Sequence, residues 1–150
     1  MIFQKSPGSS DRRMLLSTLW IFAVLNYAYA DIYSLFFNPV LQKELMKRML
    51  EGYAGDIPIT QGFVLVTAIL METSILMVLL SRVLARGGNR WANIAAGLLH
   101  TAFVAWSLVG DKPTSFYLFF ATVEIGTTLF IVWYAWTWPR PAKNPKGAAE

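Results

Sequence analysis

Cysteine is absent from this chain. Disulfide staples, thiolate-held metals and quinone-linked dithiol chemistry are therefore excluded. Histidine occurs once, as His100, so one chain cannot supply a bis-histidine haem or a multi-histidine metal centre. Charge is sparse as well: Asp, Glu, Lys and Arg make up 15% of the residues, against about 25% in a soluble domain. What is abundant is apolar surface, with 55% of residues hydrophobic and a mean hydropathy of +0.45. The chain reads as one integral membrane domain. A net charge of +4 would suit nucleic acid, but the basic residues flank apolar runs, which is the pattern of membrane topology and not of a duplex-binding stripe.

Four apolar runs carry the organisation, at about 14–37, 60–84, 91–109 and 114–138. A helix of about 20 residues covers the roughly 30 Å of hydrocarbon in a bilayer, so each is long enough to cross, the third only just. The expected fold class is all-α, an integral membrane four-helix bundle. Residues 1–13 read as a flexible tail and 139–150 as a disordered one, rich in proline and lysine. Arg12, Arg13, the first apolar run and Ala28-Tyr29-Ala30 together resemble a secretory signal with a small-residue cleavage site. The run continues past that site through Phe36 and Phe37, which favours a membrane span. After Asn38-Pro39, residues 40–51 set Leu41, Leu45, Met46 and Met49 against Lys43, Glu44, Lys47 and Arg48. That spacing predicts a short amphipathic helix lying in the interface, where it is also placed to act as a lid. Thr60 is the expected cap of the second span. A basic turn around Arg86, Gly87, Gly88, Asn89 and Arg90 leads into the third, and a turn over Gly110, Asp111, Lys112 and Pro113 leads into the fourth.

Basic residues collect in the N-terminal tail, the loop between the second and third runs, and the C-terminal tail. By the positive-inside rule both termini are expected in the cytoplasm of a bacterial cell, with the chain in the inner membrane. Trp91, Trp133, Trp136 and Trp138 then fall at or near the cytoplasmic interface, a layer that indoles favour.

Each span carries one ionisable residue away from its ends: Asp31, Glu72, His100 and Glu124. At 1.5 Å per residue their depths from the outer surface come to roughly 9, 18, 13 and 15 Å. Charged groups at such depths cost several kcal/mol unless they are paired, neutral or set in a polar cavity. Three carboxyl groups this close cannot all be charged in a low dielectric, so the layer can hold a neutral acid beside an ionised carboxylate. General acid and base catalysis needs that arrangement, and so does a proton relay. The expected catalytic set is Asp31, Glu72, His100 and Glu124. Glu72 and Glu124 are expected as the acid and base, Asp31 as a third acid and His100 as orienter or shuttle. Asn26, Tyr27, Asn93 and Tyr117 are expected to position substrate or water. Small residues, Ala68, Ala96, Gly97 and Ala121, would let the helices approach closely.

Two functional readings follow, neither with a metal or other cofactor. One is an enzyme that isomerises, cyclises or opens an epoxide in a lipophilic small molecule. The other is a proton-coupled transporter, which needs a dimer or larger oligomer because four helices alone make a narrow unit. Both require Glu72, Glu124 and His100 to meet around one cavity. A third reading is a structural or ligand-sensing membrane subunit, in which the layer is a hydrogen-bond network that fixes helix register.

The segments 16–31, 59–72, 89–101 and 117–138 resemble a family of small bacterial four-helix membrane proteins of unknown function. This resemblance implies a fold and a membrane location but no activity. In architecture alone the chain is also similar to DoxX-like bundles and to emopamil-binding isomerases, which implies intramembrane carboxylates working on a lipophilic substrate. The missing cysteines exclude the vitamin K epoxide reductase chemistry.

Overall fold

The computed structural model describes residues 9–37, 39–54, 57–109 and 113–139. They form five helices and one small hairpin. Helix α1 runs Ser9–Phe36, unbroken because no glycine or proline interrupts that stretch. It begins five residues inside the expected N-terminal tail, with Asp11 in its first turn, where a carboxylate favours the positive end of the helix dipole. Residues 1–8 and 140–150, the remaining parts of the two expected tails, lie outside the described residues, as does the turn over 110–112.

Pro39 opens helix α2, Pro39–Leu50, at the position where its missing N–H costs nothing. Gly52, at φ +84°, ends it, and its backbone then pairs with Ile59. Tyr53–Ala54 (β1) and Ile57–Pro58 (β2) form a two-stranded antiparallel pair that no alternating pattern in the sequence announces. Helix α2 lies against α1 with Met46, Met49 and Leu50 left exposed.

Helix α3, Gln61–Val83, is capped by Thr60, whose hydroxyl accepts from the Phe63 N–H. Only residues 84–85 separate it from α4, Arg86–Ser107. Gly87, Gly88, Asn89 and Arg90 are therefore the first turns of a helix and not the expected loop. Helix α5 spans Ser115–Trp136, stopping short of Pro139. Three of these helices are long and apolar enough to cross a membrane: α1 over Ser10–Phe36, α3, and α5. Helix α4 is not among them, because Asn89, Asn93 and His100 lower its hydropathy. All three are on its buried face.

Helices α1, α3, α4 and α5 pack in a ring in which α1 neighbours α3 and α5, and α4 neighbours the same two. The tightest approach is between α4 and α5. A methyl group on Gly97 would sit 2.6 Å from Val132 Cγ2 and 3.1 Å from the Thr128 carbonyl oxygen, so no larger residue fits without moving a helix. The interior is filled by Leu16, Trp20, Ala23 and Tyr27 of α1 against Met77, Ala96, Val104, Ala121 and Ile131.

Candidate functional site

The buried polar residues divide into two groups. Towards the arginine-rich end, Asn93 Oδ1 accepts from Trp20 Nε1 at 2.7 Å and from Ser81 Oγ at 3.2 Å, while its Nδ2 donates to the Oδ1 and carbonyl of Asn89. Asn89 in turn donates to the Ser81 carbonyl. Arg82 Nε donates to Ser17 Oγ, which donates to the Val78 carbonyl. These side chains have partners throughout, and such satisfied networks fix how helices sit against one another. At the same end Arg12 donates to the Tyr134 carbonyl, with its guanidinium 4.5 Å from the Tyr134 ring centre. Arg90 covers Trp136. Arginines thus close the C-terminal end of α5, where carbonyls lack helical partners.

The second group lies further along α1. The Tyr27 ring stacks on the His100 imidazole at 5.6 Å, and Trp20 meets it edge-on at 5.5 Å. Glu124 is buried on α5, the helix that packs against both α1 and α4. Thr128, one turn on, donates to the Glu124 carbonyl and shares a 2.7 Å hydrogen bond with Thr101 of α4. What distinguishes this group is what it leaves open. Tyr27 Oη, His100 Nε2 and Glu124 Oε1 are buried with no hydrogen-bond partner. The other unpartnered side-chain atoms among the described residues, the Nε of Arg12, Arg13 and Arg90 and Thr114 Oγ1, belong to residues at or near helix starts. Among the described residues, Tyr27 Oη, His100 Nε2 and Glu124 Oε1 are the buried open atoms that lie away from helix starts, one each on α1, α4 and α5.

Of the expected catalytic residues, His100 and Glu124 are both buried, on the neighbouring helices α4 and α5, and Asp31 on α1 has an exposed side chain. Glu72 does not join them: its side chain is exposed on the outer surface of α3. Helix phase is the reason. The buried residues of α3 are Leu70, Ser74, Met77 and Ser81, and at about 100° per residue Glu72 projects from the opposite side. The expected stripe of Gln61, Ala68 and Glu72 is real, but it lies outside, and Ala68 with it.

Among the expected positioning residues, only Tyr27 is in the group. Asn26 turns back to the Phe22 carbonyl of its own helix. Asn93 is spent on the structural network. Tyr117 ties the start of α5 to Ser107 at the end of α4. Sequence reasoning passed over Trp20 and Thr101. The seven-residue interval from Trp20 to Tyr27 puts both on one helical face and was the available signal.

Two carboxylic acids, an imidazole and a phenol can exchange protons with a bound molecule or with one another. Among the described residues no three His, Cys, Asp or Glu side chains gather closely enough to hold a metal ion. Beside the group, Val66, Ile69, Leu70, Thr73, Leu99 and Phe103 line part of an open groove of about 390 Å³ between α3 and α4. It is almost wholly apolar, and none of Tyr27, His100 and Glu124 lines it.

No curated protein and no solved structure matches this chain. A family model described as a family of unknown function, DUF6326, matches residues 2–144, which covers all the helices and every residue of the group, and the chain belongs to that family.

Proposed function

We propose that this protein is a membrane-embedded acid-base enzyme acting on a lipophilic small molecule, with Tyr27, His100 and Glu124 as its reacting side chains. In this reading α4 is a fourth span, its amides and histidine turned inward, and α2 lies in the outer interface. Both termini are on the cytoplasmic side of a bacterial inner membrane. The observation that carries the reading is the set of open atoms, Tyr27 Oη, His100 Nε2 and Glu124 Oε1. A buried polar group without a partner costs about 1–3 kcal/mol. A ligand oxygen entering among the three would offset much of that cost, and a hydrocarbon body suits a molecule that arrives through lipid or along the apolar groove.

With Glu72 exposed, both readings fail in the form that set Glu72, Glu124 and His100 around one cavity, and the chemistry rests on Tyr27, His100 and Glu124 instead. The Glu124 carboxyl delivers a proton to an oxygen or alkene carbon. The His100 Nε2 removes one from carbon or from water. Tyr27 Oη donates a hydrogen bond to the substrate oxygen, and Asp31 at the exposed rim exchanges protons with the outer side. Isomerisation, cyclisation and epoxide opening are all within reach of such a set.

Lipid extraction and native mass spectrometry on wild type, Glu124→Gln and Glu72→Gln test this. A lipophilic molecule should remain bound and unaltered in Glu124→Gln, while wild type and Glu72→Gln hold little of it or an altered form. No bound molecule in any of the three would sink the enzyme reading. A proton relay is the second reading, favoured by one arrangement: three titratable side chains, Tyr27, His100 and Glu124, buried with open atoms on helices of one packed ring. Proton uptake into liposomes that Glu124→Gln abolishes would establish it.

A further inference from the structure

Glu72 is the residue that the buried group does not use. It is the middle of α3, eleven residues from Gln61 and eleven from Val83, hence roughly 16 Å from either end of the helix. In a spanning helix that is the bilayer midplane, too deep for a glutamate side chain to reach headgroup water. Its side chain is exposed. It also sits at the centre of the exposed arc, about 180° around the helix from Ser81, which is fully buried. Exposed leucines on a span need no partner, because lipid is as apolar as they are. An exposed carboxyl at the midplane does.

The exposed face has a second property. Gln61, Leu65, Ala68, Glu72, Ile75 and Leu79 are all exposed and follow one another at intervals of four, three, four, three and four. That is a heptad seam of the kind by which two helices pack knobs into holes, and a single polar residue in such a seam sets register and partner number. Ala68, one turn before Glu72, lets the helices come close.

We propose that α3 is a homodimer interface, in which two copies pack their seams in parallel about a two-fold axis normal to the membrane. A second copy is the partner that depth and register favour. Inserted with the same topology, it carries its own Glu72 at the same depth and on the same seam. The two carboxyls then hydrogen-bond to each other, one of them carrying the proton, and neither is left to hydrocarbon. This interface is on the outside of the ring and is independent of the reading given to Tyr27, His100 and Glu124.

The absence of cysteine makes the test direct. In proteoliposomes, mild oxidation should join Ala68→Cys chains into dimers, while Leu98→Cys, exposed on α4, stays single. Native mass spectrometry in mild detergent should show the wild-type dimer. Glu72→Gln, which keeps the hydrogen bond, should dissociate within about threefold of wild type, and Glu72→Leu about tenfold more readily. A monomer at all concentrations, cross-linking through Leu98→Cys and not Ala68→Cys, capture of a different membrane protein by Ala68→Cys, or a Glu72→Leu dimer as tight as wild type would each overturn the proposal.

Discussion

Asn93 shows what one buried amide does in this molecule. Its two polar atoms hold Trp20, Ser81 and Asn89, residues of α1, α3 and α4. Asn93→Leu keeps the volume and removes every bond, leaving the Trp20 N–H and the Asn89 Oδ1 buried without partners. At about 1–3 kcal/mol for each such group, the thermal midpoint of the detergent-solubilised protein should fall by about 5 °C or more. An unchanged midpoint would mean that the network contributes nothing to stability. The sequence marks Asn93 and His100 alike as polar residues inside a span. It cannot separate an amide whose bonds are all made from an imidazole with a nitrogen left open, because that difference depends on what three other helices bring to each. Tyr27 reads as a positioning residue from its sequence interval to Asp31. Its contact is instead with His100, on the far side of the ring.

Helix phase and helix proximity act one level up. Positions along α3 recur every 3.6 residues, so the spacing of Gln61, Ala68 and Glu72 places them on one face whatever the helix packs against. Which face turns inward is decided by neighbours. Met77, Ser74 and Ser81 went in, so Glu72 came out. Helices α4 and α5 illustrate proximity. Gly97 is where they touch, and Gly97→Ala must push Val132 or the Thr128 backbone aside, at a cost of about 1–3 kcal/mol. At Gly126, in the middle of α5, an added methyl group would meet nothing within 4 Å. Gly126→Ala should be neutral or stabilise by up to about 1 kcal/mol through helix propensity. Thermal unfolding of the two variants side by side checks the pair, and equal destabilisation would contradict the close approach at Gly97. The sequence places Gly97 among the small residues that let helices approach, but which atoms it meets is set by the packing of α4 on α5.

Taken whole, the molecule has an arginine and tryptophan end and an end carrying α2 and the hairpin. The cationic end should face the cytoplasm. Single thiols introduced into this cysteine-free chain report it: Lys47→Cys on α2 should react with an impermeant maleimide in intact cells, and Gly87→Cys at the start of α4 only after the membrane is opened. The reverse pattern would invert the topology and move Asp31 to the cytoplasmic side. The all-helical class, the three apolar spans, the α2 helix and the Thr60 cap follow from the sequence alone, because hydropathy, helix periodicity and capping are local properties carried by neighbouring residues. The sequence also placed an ionisable residue inside each apolar run. Only the tertiary structure decided which of them are enclosed: His100 and Glu124 are buried, with Tyr27, while Asp31 and Glu72 are exposed. The reason is physical: the rotation of each helix about its axis is set by packing against all its neighbours at once, and an error of half a turn moves a carboxyl from the interior to the lipid.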